Sequence, residues 1–141
     1  MQAMEISKTG LDVEWRRLEV IAENLANTGT ARTAGGAPYT ALSLISGPKA
    51  AFASHLDGAG GTKSLQGVEV YGLAPMNVPP RRVHEPGNPQ ADSDGFVDYP
   101  GFDHAAEMTL MLKTSRAYES NIVAMNAARD MYLKALELGR K

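Results

Sequence analysis

The chain has 141 residues, with 14 Lys plus Arg, 16 Asp plus Glu, a formal net charge of −2 and no cysteine. That length suits one small domain carrying extended arms, and the slightly acidic balance leaves no basic footprint for nucleic acid. The lack of cysteine excludes disulfides, thiolate nucleophiles and cysteine-bound metal, and no apolar run approaches the roughly 20 residues of a bilayer span.

Glu5, Lys8, Asp12 and Glu14 interrupt any signal-peptide core, so a soluble chain exported, if at all, without loss of a leader is expected. From Ala3 to Asn27 the spacing predicts an amphipathic helix. Met4, Leu11, Leu18 and Leu25 recur every seven residues, with Trp15, Ile21 and Ala22 beside them, which is the spacing of a coiled-coil seam. Asp12 and Arg16 are spaced as a favourable ion pair on the wet side. The helix is expected to stop at Asn27-Thr28-Gly29 in a left-handed cap.

All 8 Pro and 12 of the 14 Gly fall between Thr28 and Phe102, too many for helices. Short strands are expected at Tyr39–Ile45, Ala50–Ser54, Val68–Leu73, Arg81–Glu85 and Phe96–Tyr99. Pro48, Gly58 to Gly61, Pro79-Pro80, Pro86-Gly87 and Asp94-Gly95 separate them as turns. Large apolar residues are sparse here, so any core is small, and a module of few strands is marginal by itself.

From Asp103, a predicted N-cap, to Leu138 there is neither Pro nor Gly. The predicted helix is about 54 Å long, ends at Gly139, and has Arg140 and Lys141 at the negative end of its dipole. Its stripe is Met108, Met111, Leu112, Tyr118, Ile122, Met125, Ala128, Tyr132 and Leu136. Two long stripes cannot be buried on so small a middle piece. They must pair with each other or with neighbours, and the Met content suits contacts that adapt to unequal partners. Asn24, Asn27, Asn121 and Asn126 lie along the two seams; buried Asn fixes register, and amides facing water do nothing of the kind. Spacing leaves both readings open. The fold class expected is α+β, with long N- and C-terminal helices pairing as a coiled-coil-like arm around a small, mostly β middle.

No chemistry emerges. Gly61-Thr62-Lys63-Ser64 lacks the Gly that a phosphate loop needs before its Lys, and a strand-like run follows instead of a helix. Asp92-Ser93-Asp94-Gly95 looks like half a calcium loop, but Gln90 and Gly101 stand at the first and twelfth ligand positions, so an Asx turn is expected. His55, His84 and His104 lie in different segments without ligand spacing, and Pro86-Gly87 after His84-Glu85 excludes a zinc-protease helix. No Ser sits in a GxSxG elbow. The expectation is no catalytic, cofactor or metal residue. A small enzyme, or an adaptor using the long helix as a groove partner, remains the rival class.

The order of arms and middle resembles the bacterial flagellar rod and hook axial proteins. Ile21-Ala22-Glu23-Asn24-Leu25-Ala26-Asn27-Thr28 is similar to their xNLANxxT signature. Arg32-Thr33, Gly35-Gly36-Ala37-Pro38-Tyr39, Gly67-Val68-Glu69-Val70, Pro79-Pro80-Arg81, Glu85-Pro86-Gly87-Asn88-Pro89 and Asp94-Gly95-Phe96-Val97 resemble the narrower pattern of the proximal-rod family. So do Ser115-Arg116-Ala117-Tyr118-Glu119-Ser120-Asn121 and Ala135-Leu136-Glu137-Leu138-Gly139-Arg140. Thr40-Ala41-Leu42, His84 and the stretch from Ala50 to Ser64 depart from it.

The resemblance implies an N-terminal arm over 1–30, a β-rich middle domain over 31–102 and a C-terminal arm over 103–141. It implies a structural subunit of the proximal rod of the flagellar basal body, with another rod or hook subunit as the nearest alternative. The partners implied are other flagellar rod proteins and copies of the chain itself in a helical tube, and the flagellar type III export apparatus during uncleaved secretion. Nucleic acid, a small-molecule substrate and membrane insertion are not implied. The arms are expected to order on assembly. The assembly residues expected are Met4, Leu11, Trp15, Leu18, Ile21, Asn24, Leu25 and Asn27 on the first arm. On the second they are Met108, Met111, Leu112, Tyr118, Asn121, Ile122, Met125, Tyr132 and Leu136.

Overall fold

The computed structural model describes residues 2–49 and 66–139. Helix α1 spans Gln2–Ala26, strands β1 Leu42–Pro48, β2 Val68–Pro75, β3 Arg81–His84 and β4 Phe96–Tyr99 follow, and helix α2 spans His104–Leu138. The α+β class expected from the two helical stripes is the class observed. The expected strand at Ala50–Ser54, the Gly-rich tract, His55, Arg140 and Lys141 lie outside the described residues.

Helix α1 runs 25 residues without Pro. The expected left-handed cap at Gly29 does not form, since Gly29 keeps a negative φ. The end is closed instead by Asn27 N–H donating to Glu23 O at 3.1 Å and Thr28 Oγ1 donating to Leu25 O at 2.8 Å, which satisfies carbonyls left over at a helix end. The expected Asp12–Arg16 pair is likewise replaced. Arg16 reaches Glu19 at 2.7 Å, and Trp15 Nε1 donates to the same carboxylate at 3.1 Å. The longer Glu side chain serves both donors, which the short Asp12 cannot.

Helix α2 is capped as expected, with Asp103 Oδ1 accepting from Ala105 N–H at 2.8 Å and Gly139 N–H donating to Ala135 O at 3.1 Å. Its 35 residues make a rod of about 52 Å. No helix among the described residues is long and apolar enough to cross a membrane.

Among the described residues the middle forms two separate antiparallel pairs, β1–β2 and β3–β4. In the first, Leu42 stands opposite Pro75 and Leu44 opposite Leu73, with a bulge between Ile45 and Ser46. It starts three residues later than the expected Tyr39, because Tyr39 turns its N–H to Thr30 O at 3.2 Å and its hydroxyl to Asn24. In the second pair His84 faces Phe96 and Val83 faces Val97. The turn between them is the expected Asx type: Asp92 Oδ1 accepts from the N–H groups of Asp94 at 3.0 Å and Phe96 at 2.8 Å.

The core sits between α1 and the first hairpin. Val13, Val20 and Leu44 form its buried cluster, with Leu42 packed against them. Val13 and Val20 lie off the seven-residue stripe, so α1 has a second apolar face. Burying such side chains contributes about 1.5–3 kcal/mol each. Polar stitches fix the hairpin along the helix: Arg17 donates to Ser46 Oγ at 2.8 Å, and Val68 N–H donates to Thr9 Oγ1 at 3.1 Å.

The candidate assembly interface

The other face of α1 packs antiparallel on α2. Three contacts set the register: Gly10 against Asn121, Trp15 against Tyr118 with ring centroids 6.2 Å apart, and Asn24 bonded to Glu107 at 3.1 Å. Gly10 lets the Asn121 amide lie against α1, since a Cβ there falls 2.9 Å from Asn121 Oδ1 and pushes the amide aside.

At the flush end of the pair the junction is polar. Asn24 is wholly buried. Its Oδ1 accepts from Tyr39 Oη at 3.0 Å and Leu42 N–H at 3.0 Å, and its Nδ2 donates to Leu42 O at 2.8 Å and to the Glu107 carboxylate at 3.1 Å. The amide thus uses both its acceptor and its donor capacity. It pairs with both backbone groups of Leu42 as a neighbouring strand does, and so joins α1, β1 and α2 at one point. Burial, followed by the carboxylates of Glu23 and Glu107, raises the pKa of Tyr39, so its hydroxyl is held as a donor to Asn24.

The remaining expected seam residues divide by environment. Ile21 is buried at 2% exposure, and Met4, Leu11, Leu18, Leu25, Asn27, Met111, Tyr118, Asn121, Ile122 and Met125 are half-buried. Trp15 is 56% exposed despite its contact with Tyr118. Met108 and Leu112 are exposed, the latter at 61%, so they face away from α1. Asn121 bonds back to Ala117 O at 3.1 Å, Asn27 back to Glu23 O at 2.9 Å, and Asn126 is exposed. Of the four amides, only Asn24 is a buried junction.

Sequence reasoning missed Glu107 and Thr114, which are buried on α2, and Val13, Val20 and Gly10 on α1. The signal was present for the first two. Glu107, Met111, Thr114 and Tyr118 follow the helical spacing of one face, but a rule that counts apolar residues passes over Glu and Thr.

The antiparallel register sets Gln2 level with about residue 130 of α2. The last turns of α2 therefore run past α1, leaving Met131, Tyr132, Leu133, Leu136 and Leu138 exposed. At the opposite end an open groove of 160 Å³ lies between the segments 37–41, 76–80 and 100–102, lined by Tyr39, Met76, Val78 and Phe102 among others. Gly101 forms one wall because the backbone approaches too closely for any side chain: a Cβ there falls 1.8 Å from Pro79 O.

The β3–β4 pair carries a polar surface of its own. Hydrogen bonds from Asn88 Nδ2 at 2.9 Å and Tyr99 Oη at 3.0 Å lower the pKa of Glu85. The Phe96 N–H, helped by Asp94 N–H and Arg82, lowers that of Asp92. Arg82 also contacts Asp98 at 3.3 Å and lies 4.9 Å from the centre of the Phe96 ring. Among the described residues no group of three or more His, Cys, Asp or Glu is placed to hold a metal ion. His84 packs on Phe96, and His104 opens α2.

Comparison with known proteins places this arrangement. The family described as flagellar basal body rod FlgEFG protein C-terminal matches residues 94–138, which include β4 and all of α2. The flagellar basal-body rod protein FlgC of Salmonella typhimurium is 34% identical over 140 residues, covering 99% of this chain and 98% of that protein. FlgC of Bacillus subtilis is 30% identical over 145 residues, covering 98% and 97%, and FlgC of Borreliella burgdorferi is 30% identical over 148, covering 96% and 95%. With similarity running through both helices and the strands between them, the chain belongs to the FlgC family of flagellar basal-body rod proteins.

Proposed function

We propose that this chain is a structural subunit of the proximal rod, built into a helical drive-shaft tube through its terminal helices. It transmits torque by rigidity and performs no chemistry. The observation that carries the reading is the surplus of apolar surface on α2. Met108 at 44% and Leu112 at 61% exposure stand on its outer side, with Val123 at 67% further along. A helix with apolar side chains outside its intramolecular seam is built for further helices. Its partners in this reading are other rod proteins and copies of itself. The arms over 1–30 and 103–141 supply the core of the tube and the strands its outer part. Delivery runs through the flagellar type III apparatus without cleavage.

The test must separate assembly from folding. Leu18 and Ile122 are half-buried in the seam of the single chain, so Leu18→Asp or Ile122→Asp disturbs both. Met108→Asp and Leu112→Asp alter exposed positions. They are expected to leave the circular dichroism and melting of the purified chain unchanged while abolishing swimming and rod formation in cells that depend on it. Normal motility in both variants refutes the role of this surface.

A further inference from the structure

We propose that the overhanging end of α2 seats its Tyr132 and Leu136 face in the groove between Tyr39, Met76, Val78 and Phe102 of a second copy, head to tail. This rests on the rod-subunit reading and adds a contact by which one copy follows another.

The overhang continues an interface that already exists. Tyr118, Met125 and Tyr132 stand at intervals of seven, and Leu136 lies fourteen residues beyond Ile122. The stripe that packs on α1 therefore goes on unchanged after α1 has ended. Tyr132 remains 41% and Leu136 49% exposed, although they occupy the same face as half-buried Tyr118 and Ile122. The difference is the missing partner, not the chemistry of the side chains.

The groove has the complementary character. It is lined mostly by apolar and aromatic side chains, with Thr40 among them, opens beside the start of α2, and holds 160 Å³. A cavity of about 150 Å³ accepts a benzene ring, so this groove takes the Tyr132 ring, with Leu136 lying one turn on against its rim. The chain cannot fill its own groove, because the two surfaces lie at opposite ends of a helix of about 52 Å. A second copy can, and because the two surfaces differ, the contact is heterologous and propagates instead of closing as a two-fold dimer.

The absence of cysteine permits a direct test. A chain carrying Val78→Cys and Leu136→Cys is oxidised in solution beside a control carrying Ser120→Cys and Leu136→Cys. A disulfide needs Cα atoms within roughly 7 Å, so a 78–136 bond can only join two chains. The expected result is a ladder of linked chains from the first variant, at least about tenfold above the control, with circular dichroism unchanged. No excess over the control, or links only between like positions, overturns the proposal.

A photo-crosslinker, p-benzoylphenylalanine in place of Tyr132, then reports the neighbour in isolated basal bodies. An adduct with a second copy mapping to 76–80 or 100–102 supports the contact. An adduct with a different rod subunit, or one mapping elsewhere, overturns it while the rod reading stands. Failure of the wild-type chain to fractionate with basal bodies defeats the rod reading itself.

Discussion

Removal of the Asn24 side chain tests whether one buried amide holds the two helices and the first hairpin together. Asn24→Ala deprives four groups of their partner: Tyr39 Oη, both backbone groups of Leu42, and the Glu107 carboxylate. Asn24 is 0% and Glu107 5% exposed, so solvent does not replace the amide freely. A buried group left without its hydrogen bond costs about 1–3 kcal/mol. Entry of one water into the vacated space restores part of this, giving an expected loss of about 3 kcal/mol. That is a large fraction of the 5–15 kcal/mol typical of a domain.

Asn24→Asp sharpens the test. The new carboxyl keeps the bonds from Tyr39 and Leu42 N–H but turns an acceptor toward Leu42 O and the Glu107 carboxylate. At neutral pH it is expected to be less stable than Asn24→Ala, since two like charges about 4 Å apart repel by about 4 kcal/mol at an effective dielectric of 20. The site therefore favours the protonated form of the new carboxyl, raising its folded-state pKa above the unfolded value. The sign follows. The variant regains stability as pH falls toward about 5 and loses it again as pH rises, opposite to an ordinary salt-bridged carboxylate. Guanidinium unfolding followed by the fluorescence of Trp15, the single tryptophan, measures all three proteins. A shift below about 0.5 kcal/mol for Asn24→Ala, within the range of surface substitutions, or no pH dependence for Asn24→Asp, refutes the junction argument.

Gly10→Val is expected to lose about 2 kcal/mol by forcing Asn121 away. Gly10→Ala made together with Asn121→Ala is expected to gain about 1 kcal/mol over Asn121→Ala alone, from helix propensity; thermal melts of the set check the sign. The lowered pKa values of Glu85 and Asp92 mean that each contributes stability to the second hairpin above its ordinary value, 4.5 and 3.8 respectively, and loses it as pH falls through the lower folded-state value. Glu85→Gln should remove part of that acid sensitivity, read from the Tyr99 ring resonances. Because α1 and α2 bury Val13, Val20, Asn24, Glu107 and Thr114 within one chain, hydrogen exchange of the purified chain is expected, in contrast to arms that order only on assembly, to be slowest around Val13 to Asn24, Leu42 to Leu44 and Glu107 to Thr114, and fast beyond residue 130 of α2, past the start of α1. Uniform protection along α2 contradicts the overhang.

The elements were legible in the sequence because their causes are local. Every Pro, and every Gly except Gly10 and Gly139, falls in the middle, apolar residues recur at helical spacing in the flanks, Asp103 stands before an unbroken run, and Asp92-Ser93-Asp94-Gly95 carries its own turn chemistry. These features set both helices and the Asx turn, and family motifs spread from Ile21 to Arg140 pointed to the rod. The tertiary structure decided which side chains meet. Residues 24, 39, 42 and 107 converge only after α1, β1 and α2 have packed, and no spacing rule relates them. Val13 and Val20 became core because the first hairpin lies along α1 and gives that helix two buried faces where a coiled-coil pattern supplies one. The stagger that frees Tyr132 and Leu136 is likewise a matter of register, set by Gly10 against Asn121 and by the bond from Asn24 to Glu107. A stripe records which face of a helix seeks a partner; where that partner stops is fixed only when the two helices are packed.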